Sequence, residues 1–401
     1  MKNILYFFAC TFIMNSCLKQ DPLTFEIPLL LERSEKLQYF NEWSEVRNQY
    51  SDLQYAIKHK PNSIEAYIRL ANLFIAEARV TGEHGHYYNA ALKTIDWALN
   101  QKVITKEQQF LALCAKANVQ LSLHSFKEAL HTSELALSLN PYNAQIYGSL
   151  VDAFVELGDY AKAVETADKM ISIRPDLRSY SRVSYLREIY GMPDYAIHAM
   201  TLAVEAGSPG SEEKSWAALQ LAQLYLRYNK FKESENILNQ LLEERPDYPF
   251  AKANLAEVYF RLGNSAKAEI ELKEACKIIP EVGFYVQLAE LYKQENRDTE
   301  LKSTLKEIIA MLEDDTKHGH NMSLEYANIY LNFYNDPDAA LKYLQPDLIM
   351  RPENIDINRM LSKIYLAKKD RIKAQDCLQK ATRTHSKHPE LDEIRNELAQ
   401  L

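Results

Sequence analysis

A chain of 401 residues, 47% hydrophobic and 25% charged, has ordinary globular composition and enough apolar material for a large core. Only ten residues are glycine, which suits a mostly helical chain, because Gly weakens a helix interior by about 1 kcal/mol relative to Ala. A formal net charge of −8 leaves no basic excess for phosphate binding, so nucleic acid is excluded as the expected partner.

The chain begins with Lys2 and an uncharged, mostly apolar run from Ile4 to Met14. Eleven residues are too few to span a bilayer as a helix and suit a signal-peptide core. Asn15 and Ser16 then lead directly into Cys17, with Lys19, Gln20 and Asp21 behind it. This resembles a bacterial lipoprotein signal, which implies cleavage before Cys17 and a diacylglycerol on its thiol. Each buried CH₂ contributes about 0.8 kcal/mol, so two or three acyl chains hold a membrane firmly where one would not. Met14 and Asn15 are not the commonest residues of such a signal, and an ordinary secretory signal or an uncleaved anchor are the alternatives. The expected layout is a signal peptide over 1–16 and a linker over 17–28, with the protein lipid-anchored in a bacterial envelope. Leu18 after the cysteine carries no inner-membrane retention signal, so the outer membrane is the expected site, with its face left open.

Beyond the linker, apolar residues recur at spacings of 3 and 4, one face of an α-helix. Trp43, Val46, Tyr50, Leu53 and Ile57 form the first such stripe, a capping helix or degenerate repeat within 29–60. Tyr67, Leu70, Ala71 and Phe74, then Ala91, Ile95 and Ala98, make the first pair of stripes; Ala117, Ala129, Ala136 and Pro141 mark the second unit. The clearest unit runs from Ala144 to Pro175. Tyr147, Leu150 and Phe154 stripe one helix, Ala163, Ala167 and Met170 another, and Gly158-Asp159-Tyr160 separates them. Gly ends a helix readily because it tolerates positive φ, and Pro175 stops the second helix. Later units centre on Tyr180 and Ala196; on Leu221, Ala222, Tyr225 and Leu238, with Ser234 in place of an expected Ala; and on Leu255, Ala256, Tyr259, Ala268, Leu272 and Ala275. Weaker ones centre on Leu288 and Tyr292, on Ala327 and Ala340, and on Leu361 and Ala374. Pro141, Pro175 and Pro209 stand 34 residues apart, as do Pro246 and Pro280. Self-similarity at that period marks a solenoid in which each unit buries its face against its neighbours.

These offsets (bulky, Leu, small, aromatic, Ala, bulky, Ala, Pro) resemble the tetratricopeptide repeat family over roughly nine-tenths of the chain. The expected fold is all-α: a right-handed superhelical solenoid of about nine helix-turn-helix units over 61–388, ended by a capping helix over 389–401. Phe74 to Ala91 spans 17 residues where the family pattern has 9, so about eight extra residues are expected between the first unit's helices, near Thr81 to His86. The resemblance implies a concave surface lined by each first helix. Carried over by position, it gives a candidate partner-binding groove of Arg178, Tyr185, Trp216, Gln223, Phe250 and Phe260, suited to an extended peptide or partner helix. Asn72 occupies a position used by repeats that clamp a C-terminal carboxylate, but Ile68 stands where that clamp needs Lys, so recognition of such tails is not expected.

Evidence for chemistry is thin. His84-Gly85-His86 and His318-Gly319-His320 are the metal-ligating candidates, expected in interhelical loops; two donors are not a site, because zinc needs three or four. The two pairs could meet only if the superhelix closed on itself. Cys114, Cys276 and Cys377 fall within helical stripes and read as small core residues without a disulfide framework. There is no G-x-x-x-x-G-K-[ST] or G-x-S-x-G segment, and no cofactor or catalysis is expected. The expected role is a membrane-anchored scaffold or adaptor for protein or peptide partners. An envelope lipoprotein holding a small molecule or glycan is the alternative.

Overall fold

The computed structural model describes residues 25–401, so the signal segment and Cys17 lie outside the described residues. The described chain is all-helical, with no strand. After a short 3₁₀ turn at Glu35–Leu37 comes α1 (Glu42–His59). Nine antiparallel pairs follow. The first four are α2 (Ile64–Thr81) with α3 (His84–Leu99), α4 (Lys106–Ser122) with α5 (Phe126–Leu139), α6 (Ala144–Leu157) with α7 (Tyr160–Ile173), and α8 (Leu177–Ile189) with α9 (Pro193–Ala206). The middle three are α10 (Glu212–Arg227) with α11 (Phe231–Glu244), α12 (Pro249–Arg261) with α13 (Ser265–Ile278), and α14 (Val282–Gln294) with α15 (Asp298–Lys317). The last two are α16 (Ser323–Asn332) with α17 (Pro337–Met350) and α18 (Ile355–Ala367) with α19 (Arg371–Ala381), and α20 (Glu390–Gln400) closes the end. Among the described residues no helix is long and apolar enough to cross a membrane.

One device makes every hairpin. Each of the nine turns holds one residue in the left-handed region: Gly82, His124, Gly158, Gly191, Asn229, Gly263, Asn296, Asn335 and Lys369. In eight of the nine that residue reverses the chain so that the next amide can reach back to a carbonyl of the helix just ended, as Asp159 N–H does to Phe154 O and Asn264 N–H to Tyr259 O, both at 2.8 Å; after Gly82 the Glu83 N–H meets the Thr81 hydroxyl instead. The helices of a pair then meet over small residues. Ala163, Ala196, Ala268, Ala340 and Ala374 have no exposed surface. Ser234, which breaks the Ala pattern, donates its hydroxyl to Ala222 O at 2.9 Å, so the exception is satisfied inside the contact. The first helix of most units also touches the first helix of the next: α2 on α4, α4 on α6, and on through α14. First helices thus form an inner layer and second helices an outer one. The core is a string of local clusters, each shared by adjacent units, as stacking requires.

The first unit corrects the sequence reading. The extra residues do not form a long loop between its helices. They lengthen both helices, and only Gly82 and Glu83 separate α2 from α3. Gly82 takes the left-handed turn, while Gly85 sits inside the first turn of α3. Residues 25–41, partly assigned to a linker, form an ordered strap over α1–α3. Phe25 packs edge-on to Tyr67 at 5.1 Å between ring centroids, and the buried Arg33 guanidinium holds Glu77 and Glu42.

The superhelix also closes on itself. The turns inside units one to four dock on the loops between later units, with a nearly constant offset of 194 to 198 residues. Gly82 lies against Ile279, His124 against Asn321, Glu156 and Tyr160 against Arg351 and Ile355, and Gly191 against the His385 carbonyl. Below this seam the strap docks too, with Lys36 reaching Glu274 at 3.1 Å and Arg245 reaching Glu42 at 3.0 Å.

Candidate functional site: the concave layer and the seam that closes it

The six groove candidates all lie on α8, α10 and α12, consecutive members of the inner layer, but they are not equivalent. Tyr185 and Trp216 keep 41% and 40% of their surface exposed, among the largest exposed apolar areas of the inner helices. Arg178 is exposed and paired with Glu213 of α10, so it ties neighbouring units together as well as facing outward. Gln223 is half-buried. Phe250 and Phe260 pack against the cores between units; Phe250 meets Phe284 edge-on with centroids 5.5 Å apart. The structure therefore brings Tyr185 and Trp216 to neighbouring inner helices as open aromatic faces and commits the two phenylalanines largely to packing.

The open face of Tyr185 looks into confined space. Burial, and then Asp356, Glu156, Tyr160 and Glu188, hold its hydroxyl well above the ordinary tyrosine value. Asp356 belongs to α18, a full superhelical turn later. Glu290 on α14 is exposed, yet burial and Glu257 raise its carboxyl, opposed by cations that include Lys363 of α18. Surface that is solvent-accessible but poorly solvated is what the inside of a closed superhelix presents. Beside the strap lies a separate cavity of about 210 Å³, lined by Lys36, Tyr39, Phe40, Glu212, Arg245 and Phe250 among others.

The histidines moved most from their expected places. His84 and His86 are in the first helical turn of α3, not in a loop. His86 contacts the Leu29 carbonyl at 2.8 Å and so faces the strap. His84 instead approaches His320, 6.2 Å between centroids, and His124 approaches His320 from another side at 4.7 Å. Closure of the superhelix thus joins one member of each His-Gly-His pair and adds His124, which sequence reasoning passed over; its one available signal was a bulky residue at a turn position held elsewhere mostly by Gly or Asn. Among the described residues no group of three or more His, Cys, Asp or Glu side chains is placed to hold a metal ion. Cys114 and Cys377 are buried and Cys276 is half-buried; burial pushes the Cys114 and Cys276 thiols up to about 12 and that of Cys377 to about 11, so all three are inert.

Residues 144–177 and 219–282 each match a family model of the tetratricopeptide repeat. These two stretches are tetratricopeptide repeats. They coincide with the third unit and with the fifth and sixth, and the helix pairs on either side repeat the same turn and the same small-residue contact. The chain is 23% identical over 333 residues to the human protein O-mannosyl-transferase TMTC3, covering 81% of this chain. The chain spans about 30% of the length of that relative. Among solved structures it is similar to a tetratricopeptide repeat protein from Parabacteroides merdae, with a TM-score of 0.45 and 20% identity over 62% of this chain and 93% of that one. It is similar also to the Cut9–Hcn1 complex of the APC/C, with a TM-score of 0.43 and 14% identity over 90% of this chain and 74% of that one.

Proposed function

We propose that the protein is a non-catalytic scaffold or adaptor that holds an extended peptide or a partner helix along its concave layer, tethered by lipid at Cys17 to a bacterial envelope membrane. The observation that carries the binding half is the pair of half-open aromatics, Tyr185 and Trp216, on adjacent inner helices of a layer that is otherwise packed. Aromatic side chains supply large contact area at low entropic cost and anchor most protein interfaces. A chain of local cores makes a long surface and no single deep chemical pocket, which suits a partner that also runs lengthwise. The tether rests on the signal-like segment before Cys17.

Photocrosslinking in intact cells tests both halves. A photoreactive residue in place of Trp216 is expected to form a discrete adduct with one partner, and the same residue in place of Ile372, exposed on α19, is expected to form none. Equal adducts from both positions would sink the concave-layer reading. Cys17→Ala is expected to release the protein from membranes and abolish metabolic labelling by fatty acid; persistence of either defeats the tether.

A further inference from the structure

Six of the ten histidines lie where one superhelical turn rests on the next. They are His84 and His124 on the first turn, and His318, His320, His385 and His388 in the loops that receive it. His84, His124, His318 and His320 come together only because the superhelix closes, while His385 and His388 lie elsewhere along it, beside Gly191 and Arg227. Both ring nitrogens of His320 are buried without a partner, and so is Nδ1 of His388. His124 holds the left-handed position of its turn, and there its Nδ1 meets the Asn321 carbonyl at 2.8 Å. The left-handed turn that each hairpin uses here carries an imidazole to the interface, beside a second imidazole whose ring nitrogens have no partner.

We propose that this seam is a proton-operated latch: taking protons onto the gathered histidines parts the first superhelical turn from the second while the repeats themselves stay folded. The hydrophobic clusters that hold the units are local and contain none of these histidines, so the seam can open without dissolving the units. A charge on His320 would sit between His84 and His124, with the Ser122 backbone the one acceptor beside it and burial outweighing it.

The neighbouring charges decide where the latch opens. Around His84, His124 and His320 stand Arg79 of α2, Glu83 and Tyr88 at the start of α3, Glu281 before α14, Asp314, Asp315 and His318 at the end of α15, Glu325 of α16, and Asp347 with Arg351 of α17. Around His388 stand Arg227, Asp356, Arg359 and Glu390. Burial, then His124 and His84, push His320 down to about 3; burial, then Arg359, pushes His388 to about 4. A depressed base favours the closed seam above its ordinary value of 6.5, and that support is lost as pH falls toward 3. Burial pushes Glu281 and Glu156 the other way, up to about 7, and also raises Asp315 and Glu325. Those carboxyls penalise closure above 7 and relieve the penalty as pH falls toward their ordinary 4.5. The two sets oppose each other from 7 to 4.5, and below that only the histidines still act. Closure of the native seam is therefore expected to weaken below pH 4.5, as the histidines take up protons.

Small-angle scattering of the full chain between pH 7 and 3, with far-ultraviolet circular dichroism alongside, tests the latch, and it needs no ligand. The expected result is a reversible rise in radius of gyration with helical signal intact. The variant carrying both His320→Asn and His388→Asn should stay closed to a pH about one unit lower, and Glu281→Gln, which removes a carboxyl that penalises closure, should open at no higher pH than the native chain. Expansion that coincides with loss of helix would overturn the latch, as would a double variant that opens with the native chain. If the double variant does not fold at pH 7, the single variants decide: His320→Asn and His388→Asn that both open with the native chain overturn the proposal.

Discussion

Two neighbouring contacts of the seam are built from opposite materials. Where the α6–α7 turn meets the loop before α18, the contact is dense with hydrogen bonds, and of Arg351 only Nε is left without a partner. Arg351 bonds Glu156 across the seam and Asp347 at 2.9 Å; Arg383 donates to the carbonyls of Gly158 and Glu353; Asn354 donates to Glu156 O at 2.9 Å; and Tyr160 accepts the Ile355 N–H at 2.9 Å. Where the α4–α5 turn meets the loop before α16, Asn321 alone bonds across, to Leu123 O at 3.2 Å and to His124 Nδ1 at 2.8 Å, while three imidazoles face one another and no side chain answers His320. The first contact is a weld and the second a point of release. A solenoid can close on itself and remain able to open only if its contacts are unequal in this way.

The comparison is broken most severely at Arg351. Arg351→Ala leaves Asp347, 1% exposed, and Glu156 without their cation, and removing one partner of a buried pair costs about 3–5 kcal/mol. Chemical denaturation should show that loss, with the seam opening at neutral pH. Gly158→Ala comes next. Its φ is +84°, and a Cβ there would stand 2.6 Å from the Glu353 backbone; a left-handed Ala costs about 1–2 kcal/mol and a clash against backbone adds about 1–3 kcal/mol. Gly263→Ala shares the positive φ but meets nothing within 4 Å, so it should cost only the first amount, and equal losses at the two glycines would deny that the seam presses on Gly158. Tyr160→Phe should cost about 1–3 kcal/mol, since it orphans the buried Ile355 N–H. The smallest effect is expected from His124→Asn. Asn accepts the left-handed turn, so global stability should move by less than about 0.5 kcal/mol while scattering reports a weakened seam. A large drop in melting temperature there would mean that the histidine is structural.

Much of this was legible in the chain, and the parts that were not share a cause. Gly158 reads as a turn and Ala163 as a close contact because both signals are local: a residue type, an offset and a period. Tyr160 reads as filler beside its turn, which is half of its role; its hydroxyl serves an amide 195 residues away, and no offset within one repeat can show that. The long first unit was misread because a Gly-rich segment between two stripes looks the same whether it forms a loop or the ends of two longer helices; only Gly82 adopts the left-handed conformation that breaks the helix. Of the groove residues, position alone selects Tyr185, Trp216, Phe250 and Phe260 alike, and only packing against Phe284 and the neighbouring cores separates the buried from the open.

The sequence by itself determined the units: apolar stripes at helical spacing, small residues where helices cross, and a chain-reversing residue at each turn specify paired helices that must stack to cover their faces. Tertiary structure alone decided that the stack returns on itself. Closure depends on the small rotation added at each step, summed over about six units, and a sum of small angles leaves no mark on any one repeat. That sum placed His84, His124 and His320 together and set Asp356 of α18 near Tyr185 of α8.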